Sequence, residues 1–179
     1  GVRIFPEGVA NFDTGKEISR NEARRLARSA RRIKDRRVRR RTILTEALVQ
    51  AGLFPENKDE QAKLLASDPY ELRARAVQEE LAPYQIGRIL LHLNQRRGFQ
   101  SNRKTDKADS EVKGMLAEIS DLSKDMAGQT LGQYLHGKQQ EFDHVNRVDN
   151  DHVRKRHTRR QMFIDEFDAI WDYQQQHHS

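Results

Sequence analysis

The sequence holds no cysteine, which excludes a disulfide framework and a thiolate zinc site and makes a reducing cytoplasm its natural setting. No apolar run approaches the ~20 residues of a membrane-spanning helix, and no secretory signal pattern is visible. Aromatic residues make up only 7% of the chain, so it has few platforms on which unstacked bases could sit. It has no Walker loop, no G-x-S-x-G elbow and no H-E-x-x-H helix. Seven histidines are present, but His152 and His157 lie five apart, off the i,i+4 spacing that turns two ligands to one helix face. Asp165, Glu166 and Asp168 fall on the polar side of an apolar helix, where solvated carboxylates are expected. We therefore expect no intrinsic active site, no catalytic residue, no bound metal and no cofactor.

The chain is rich in arginine, and the arginine is concentrated. Residues 20 to 41 contain eleven arginines and one lysine against only Glu22 and Asp35. That segment carries +10 while the whole chain carries +6, so the rest is net acidic and the basic character is a patch. Only four prolines occur, and none lies between Ser19 and Leu53. Ser19 with Glu22 has the spacing of a capping box and Gly52 offers a left-handed end, so one helix is expected over 19–53. On it Ala23, Leu26, Ala27, Ala30, Ile33 and Val38 gather on one arc that should pack. Arg24, Arg25, Arg28, Arg31, Arg32, Arg36, Arg39 and Arg40 fan over the opposite half.

A solvated helix alternates charge so that Glu and Lys pair at i,i+4, whereas these residues repel one another at every such step. Something negative must offset that repulsion. The dominance of arginine over lysine favours planar, bidentate recognition of phosphate. Nucleic acid is the expected partner. Two further basic segments, Arg96 to Lys107 and Arg147 to Arg160, each adjoin an apolar helix. We expect them to converge with the arginine helix on one groove.

The rest of the chain reads as short helices, and the expected class is all-α. Val2 to Phe5 is a short strand without an evident partner, which suggests a sheet left behind in a longer protein. Helices are expected from Asn57, from Asp68-Pro69, from Pro83 to Gly98 and over Glu111 to Lys124. Thr130 to Leu135 reads as a short helical turn, and Gly137 to His157 as patternless. Thr158 with Gln161 has capping-box spacing, and Phe163, Ile164, Phe167, Ile170 and Trp171 then form the most apolar helical face of the chain. Trp171 is expected in the core.

The run Ser19-Arg20-Asn21-Glu22-Ala23-Arg24-Arg25, continued through Arg28, Arg31, Arg32 and Arg36, resembles the bridge helix of the type II CRISPR RNA-guided DNA endonucleases (CRISPR-associated protein nine). Gly1 to Phe5 is similar to the end of that family's first RuvC segment, and Gly87 to Phe99 with Ser101 to Lys104 to the start of its recognition lobe. Thr130 to Leu135 and Arg156 to Phe163 also fit, in the compact II-C subtype. The resemblance implies that residues 1–18 end a RuvC-like segment, that 19–53 form the bridge helix and that 54–179 begin a helical recognition lobe. It implies that Arg24, Arg25, Arg28, Arg31, Arg32 and Arg36 grip the guide RNA backbone, notably along the seed, and Arg39 and Arg40 are expected to bind RNA with them. Arg97 and the Gly98 backbone, with His92 one turn before, match a motif that meets the repeat:anti-repeat duplex. Arg96, Arg103, Lys104, Arg156, Arg159 and Arg160 complete the expected RNA-binding set. This family is itself the standard example of recognition through A-form geometry and backbone, with sequence left to base pairing.

The family's catalytic aspartate would precede Gly1, and its HNH and PAM-reading domains are absent, so the expectation is a segment that binds and does not cut. Mg²⁺ would belong to the parent enzyme, as would target DNA. The implied partner is guide RNA (crRNA with tracrRNA) in a bacterial cytoplasm. Two alternatives stand beside it: an acidic inhibitor protein as the bound species, and a freestanding structural RNA-binding protein of ribosomal type. The orphan strand and the missing start methionine favour a fragment over the latter.

Overall fold

The computed structural model describes residues 9–10, 18–19, 21–98, 110–143 and 157–178. Over these the fold is all-α apart from a two-residue antiparallel ladder. In it β1 (Val9–Ala10) pairs with β2 (Ile18–Ser19) in the register Val9 to Ser19 and Ala10 to Ile18. The expected strand Val2 to Phe5 lies outside the described residues. Among the described residues seven helices follow: α1 (Glu22–Gln50), α2 (Lys58–Ala66), α3 (Pro69–Arg75), α4 (Pro83–Gln95), α5 (Ser110–Asp125), α6 (Leu131–Asp143) and α7 (Arg160–His177). None of the described helices is long and apolar enough to cross a membrane. The chain divides into two compact units, residues 1–43 and 44–179.

In the first unit Ser19 does not cap α1, because it lies in the β1/β2 ladder and the helix begins three residues later, at Glu22. The Asn21 carbonyl instead accepts the first helical bond, from the Arg25 amide at 2.9 Å. The apolar arc expected to pack is not covered: Leu26 and Ile33 are each 64% exposed, and Val38 is also exposed. Burial along α1 begins only in the second unit, where Leu48 joins Phe54 and Leu91 in a small core flanked by Leu44, Val49 and Leu53. The end of α1 follows the expected left-handed stop. Gly52 has φ +70°, its amide donates to Val49 O and the Leu53 amide to Leu48 O. These are the two bonds of a Schellman motif, with Leu53 turned back onto the helix it terminates.

The main core of the second unit is built from α3, α4, α5, α6 and α7 around Leu72, Ile86, Ile89, Leu122, Leu131, Tyr134, Phe163 and Ile170. Helix starts follow local chemistry. Asn57 accepts from the Asp59 amide and Asp68 from the Tyr70 amide, and Pro69 and Pro83 open their helices at the position that needs no N–H donor. At α6 Thr130 Oγ1 accepts from the Gln133 amide while Gln133 Oε1 accepts from the Thr130 amide. This reciprocal cap launches a helix through Asp143, longer than the single turn expected, so 137–143 are helical and not patternless. Helix α4 ends at Gln95, short of Gly98.

Helix α7 departs most from expectation. Thr158 is not its cap; Arg159 holds that position without a side-chain bond, and Gln161 bonds Asp165 instead. The buried side is Phe163, Glu166, Ile170 and Gln174, while Ile164, Phe167 and Trp171 are exposed, Trp171 at 42%. Polar partners inside the fold rotate the helix. Gln174 Nε2 donates to Ala76 O and Glu79 O, and its Oε1 accepts from the Leu81 amide. A single side chain thus satisfies three backbone groups of the link between α3 and α4. Glu166 is held by Arg73. Truncating Ile170 to Ala should cost about 2 to 5 kcal/mol. Trp171→Ala should cost clearly less, and denaturant titration of the two variants side by side checks the order.

Candidate nucleic-acid interface

The first candidate surface is the arginine face of α1. Every residue from Asn21 to Ile43 is exposed, and no ion pair joins Arg24, Arg25, Arg28, Arg31, Arg32, Arg36, Arg39 or Arg40 to another described residue. Among the described residues, a 29-residue helix therefore carries guanidinium groups without a carboxylate partner. Each presents a planar fork that matches two phosphate oxygens.

The second surface lies within the unit 44–179. Arg96, Arg97 and Gly98 follow the end of α4, and the Arg96 amide still donates to His92 O. Gly98 has φ +66°, a conformation few side chains tolerate. A Cβ there would lie 2.5 Å from the Arg159 carbonyl carbon and 2.6 Å from the Arg160 nitrogen. Two of the three basic segments thus meet backbone to backbone at Gly98, beside the first turn of α7, whose helix dipole adds partial positive charge. Arg97 and Arg159 are exposed, and Arg96 and Arg160 half-buried. Arg103, Lys104 and Arg156 lie outside the described residues.

His92 is placed differently from the other expected RNA contacts. It is buried, with its ring edge-on to Tyr70 at 4.9 Å and Nδ1 3.3 Å from Arg73 Nη1. Because arginine can only donate, Nδ1 accepts and the ring proton sits on Nε2. Burial, reinforced by the charges of Arg73, Arg88 and Arg96, lowers the His92 pKa to about 3, which keeps the ring neutral and able to accept.

Arg73 went unread in the sequence, and Glu166, expected there as a solvated carboxylate, is instead turned into the core because its partner lies in another helix. Arg73 is fully buried and Glu166 is 1% exposed. Their contact is a two-pronged fork, Nε to Oε1 at 2.7 Å and Nη2 to Oε2 at 2.5 Å. The guanidinium also lies 5.4 Å from the Tyr70 ring centre and 5.7 Å from that of Phe163. Gly132 of α6 leaves room for the pair: a Cβ there would strike Glu166 Oε1 and approach Arg73 Cβ to 2.7 Å. A carboxylate flanked by Phe163 and Ile170 on the buried side of a helix is the signal that reveals the pair, provided its arginine is sought in another helix. A second arginine, Arg88, reaches Leu65 O and Ser67 O at 3.3 Å and ties α4 to the end of α2.

The His92 shift has a measurable consequence. The unfolded imidazole, with its ordinary value of 6.5, takes up a proton that the folded one refuses. The stabilisation is complete above that value and is lost as pH falls towards the folded value, by at most about 1.4 kcal/mol per pH unit. Thermal melts of the wild type and His92→Gln should therefore converge on acidification below pH ~6.5, the wild type losing more. Parallel pH profiles would contradict the assignment.

No family model matches the sequence. Over 145 residues the chain is 34% identical to the CRISPR-associated endonuclease Cas9 of Campylobacter jejuni, an alignment that takes in 76% of this chain and 14% of that protein. The chain thus spans about a seventh of its relative's length. The crystal structure of Campylobacter jejuni Cas9 with sgRNA and target DNA superposes with a TM-score of 0.66 at 26% identity, covering 89% of this chain and 23% of that one. A St1Cas9 complex with sgRNA superposes with a TM-score of 0.69 over 94% of this chain and 21% of that one, and at 20% identity this is a likeness of fold. Another St1Cas9 assembly with a similar fold contains AcrIIA6. Most of the chain is thus related in sequence, and nearly all of it in fold, to one limited segment of a much longer enzyme, and the chain is homologous to Cas9.

Proposed function

We propose that this chain is a guide-RNA-binding segment of a Cas9-type RNA-guided DNA endonuclease of the compact II-C subtype. Helix α1 acts as the bridge helix between nuclease and recognition lobes, and the helical unit after it begins the recognition lobe. The observation that carries the reading is the guanidinium face of α1, exposed and without an ion-pair partner among the described residues. The meeting of Arg97-Gly98 with Arg159-Arg160 supports a second contact, on the repeat:anti-repeat duplex. Both surfaces offer charge and few aromatic platforms, which suits gripping a helical phosphate backbone and leaves sequence to base pairing. The homologous enzyme of Campylobacter jejuni has been crystallised with sgRNA and target DNA, which supports RNA as the ligand. In this reading the segment binds in a bacterial cytoplasm, without a cofactor of its own, and cutting with Mg²⁺ belongs to the rest of such an enzyme. The arginine face of α1 is also open to an acidic inhibitor protein, which would compete with RNA for the same groups.

A titration of the purified chain with guide RNA, duplex DNA and an unrelated structured RNA, over a range of salt, tests this. About six phosphate contacts, at roughly −0.7 to −0.9 each, should give a log-log salt slope near −4 to −5. Arg28→Ala, Arg32→Ala and Arg36→Ala should each make the slope shallower by something under one unit, with no loss of helix by circular dichroism. Binding indifferent to salt, or equally tight to all three nucleic acids, would overturn the proposal. Incubation with Mg²⁺ or Mn²⁺ should give no cleavage; metal-dependent cutting that co-purifies with the chain would refute the division of labour.

A further inference from the structure

We infer that Arg73 is a positioning residue for RNA binding: through Glu166 and His92 it sets the Arg96–Gly98 segment against the Arg159–Arg160 segment, although it never touches RNA itself. The inference rests on the RNA-binding reading of those two segments. Arg73 cannot be a contact residue, since it is fully buried. Its guanidinium has three directions of bonding, and each is used. Nε and Nη2 grip Glu166 of α7, and Nη1 meets Nδ1 of His92 on α4. These are the two helices that carry the basic segments. Arg96 lies one turn beyond His92 and is bonded to its carbonyl at 3.1 Å. Arg160, the first residue of α7, precedes Glu166 by less than two turns, about 9 Å along the axis. One side chain in α3 therefore bonds both helices, each close to its basic end.

The need for such a device is set at Gly98. Its backbone approaches Arg159 and Arg160 so closely that not even a Cβ fits, so a small rotation or slide of α7 would change how the guanidinium groups of the two segments lie relative to one another. Apolar packing restrains rotation weakly, whereas a two-pronged fork fixes both orientation and register. Gly132 admits the fork and would block it if it carried a side chain. Replacing a buried ion pair by apolar residues of similar size often leaves stability intact, so geometry and stability can be separated by experiment. Lysine is no substitute, since a single ammonium cannot hold a carboxylate by two parallel bonds and reach His92 as well.

The test uses the full chain in four forms: wild type, the double variant Arg73→Met/Glu166→Leu, Arg73→Lys, and the contact control Arg159→Ala/Arg160→Ala. Each is measured for melting temperature, for amide hydrogen exchange in peptides covering 92–98 and 157–163, and for guide RNA binding as a function of salt. The double variant should melt close to the wild type yet exchange faster in those two peptides. Its salt slope should be shallower by about one to two, at roughly 0.7 to 0.9 per lost phosphate contact, as in the control. If the double variant does not fold, Arg73→Lys decides, because it keeps the buried charge and loses the fork; it should show the same two changes. A folded variant with wild-type exchange and wild-type salt slope overturns the positioning role. Failure of the wild type to bind RNA, or an unchanged slope in the control, overturns the RNA reading of these segments instead. Exchange in the two peptides then still decides whether Arg73 couples them.

Discussion

The relative placement of the helices in the unit after α1 turns on the buried ion pair of Arg73 and Glu166. Taking a guanidinium and a carboxylate out of water costs several kcal/mol for each ion, and their attraction offsets this only when geometry is good and the remaining polar atoms are bonded. Arg73 and Glu166 meet both conditions. The fork uses both carboxylate oxygens, the leftover Nη1 meets a neutral histidine nitrogen, and aromatic rings line the cation. Several other features of the unit follow from it. Gly132 must lack a side chain, His92 must stay uncharged, and α7 must turn Glu166 inward although Phe167 and Trp171 are thereby left at the surface.

The same guanidinium group serves two opposite purposes in this chain. On α1 the arginines are exposed and unpaired among the described residues, so like charges stand side by side along the helix. Inside the second unit Arg73 is desolvated and each of its guanidinium nitrogens has a partner, which makes it a rigid connector. Arg97 and Arg159 lie between these extremes, exposed at the surface but attached to backbone locked at Gly98. Charge is thus available at a defined position where the fold is stiff. On α1 it is spread along an open helix.

Homology to a segment of Cas9 gives these observations a common frame. The chain matches about a seventh of the Campylobacter jejuni enzyme, and each of its two units can be described without the other. The apolar arc of Leu26, Ile33 and Val38, and the ring pair Phe167 and Trp171 stacked at 5.9 Å, are exposed in the segment by itself.

Much of the local structure was determined by the sequence alone, because its causes are local. A cap at Asn57, Asp-Pro at 68–69, Pro83 and the left-handed Gly52 each act within a few residues, and the all-α class follows from them. The clustering of arginine needed only counting, and the resemblance that it completed pointed to Cas9. What the tertiary structure decided is which side of each helix is inside. Periodicity placed Phe163, Ile164, Phe167, Ile170 and Trp171 on one buried stripe. The fold instead turns Glu166 and Gln174 inward with Phe163 and Ile170, since their partners, Arg73 and the backbone around Ala76 to Leu81, lie more than ninety residues away in sequence. Ser19 shows the same limit on a smaller scale, its cap overridden by pairing with Val9. The meeting of Gly98 with Arg159 was beyond reach for the same reason. A contact between two loops leaves no period in either, and only the packing of α4, α3 and α7 around one guanidinium brings them together.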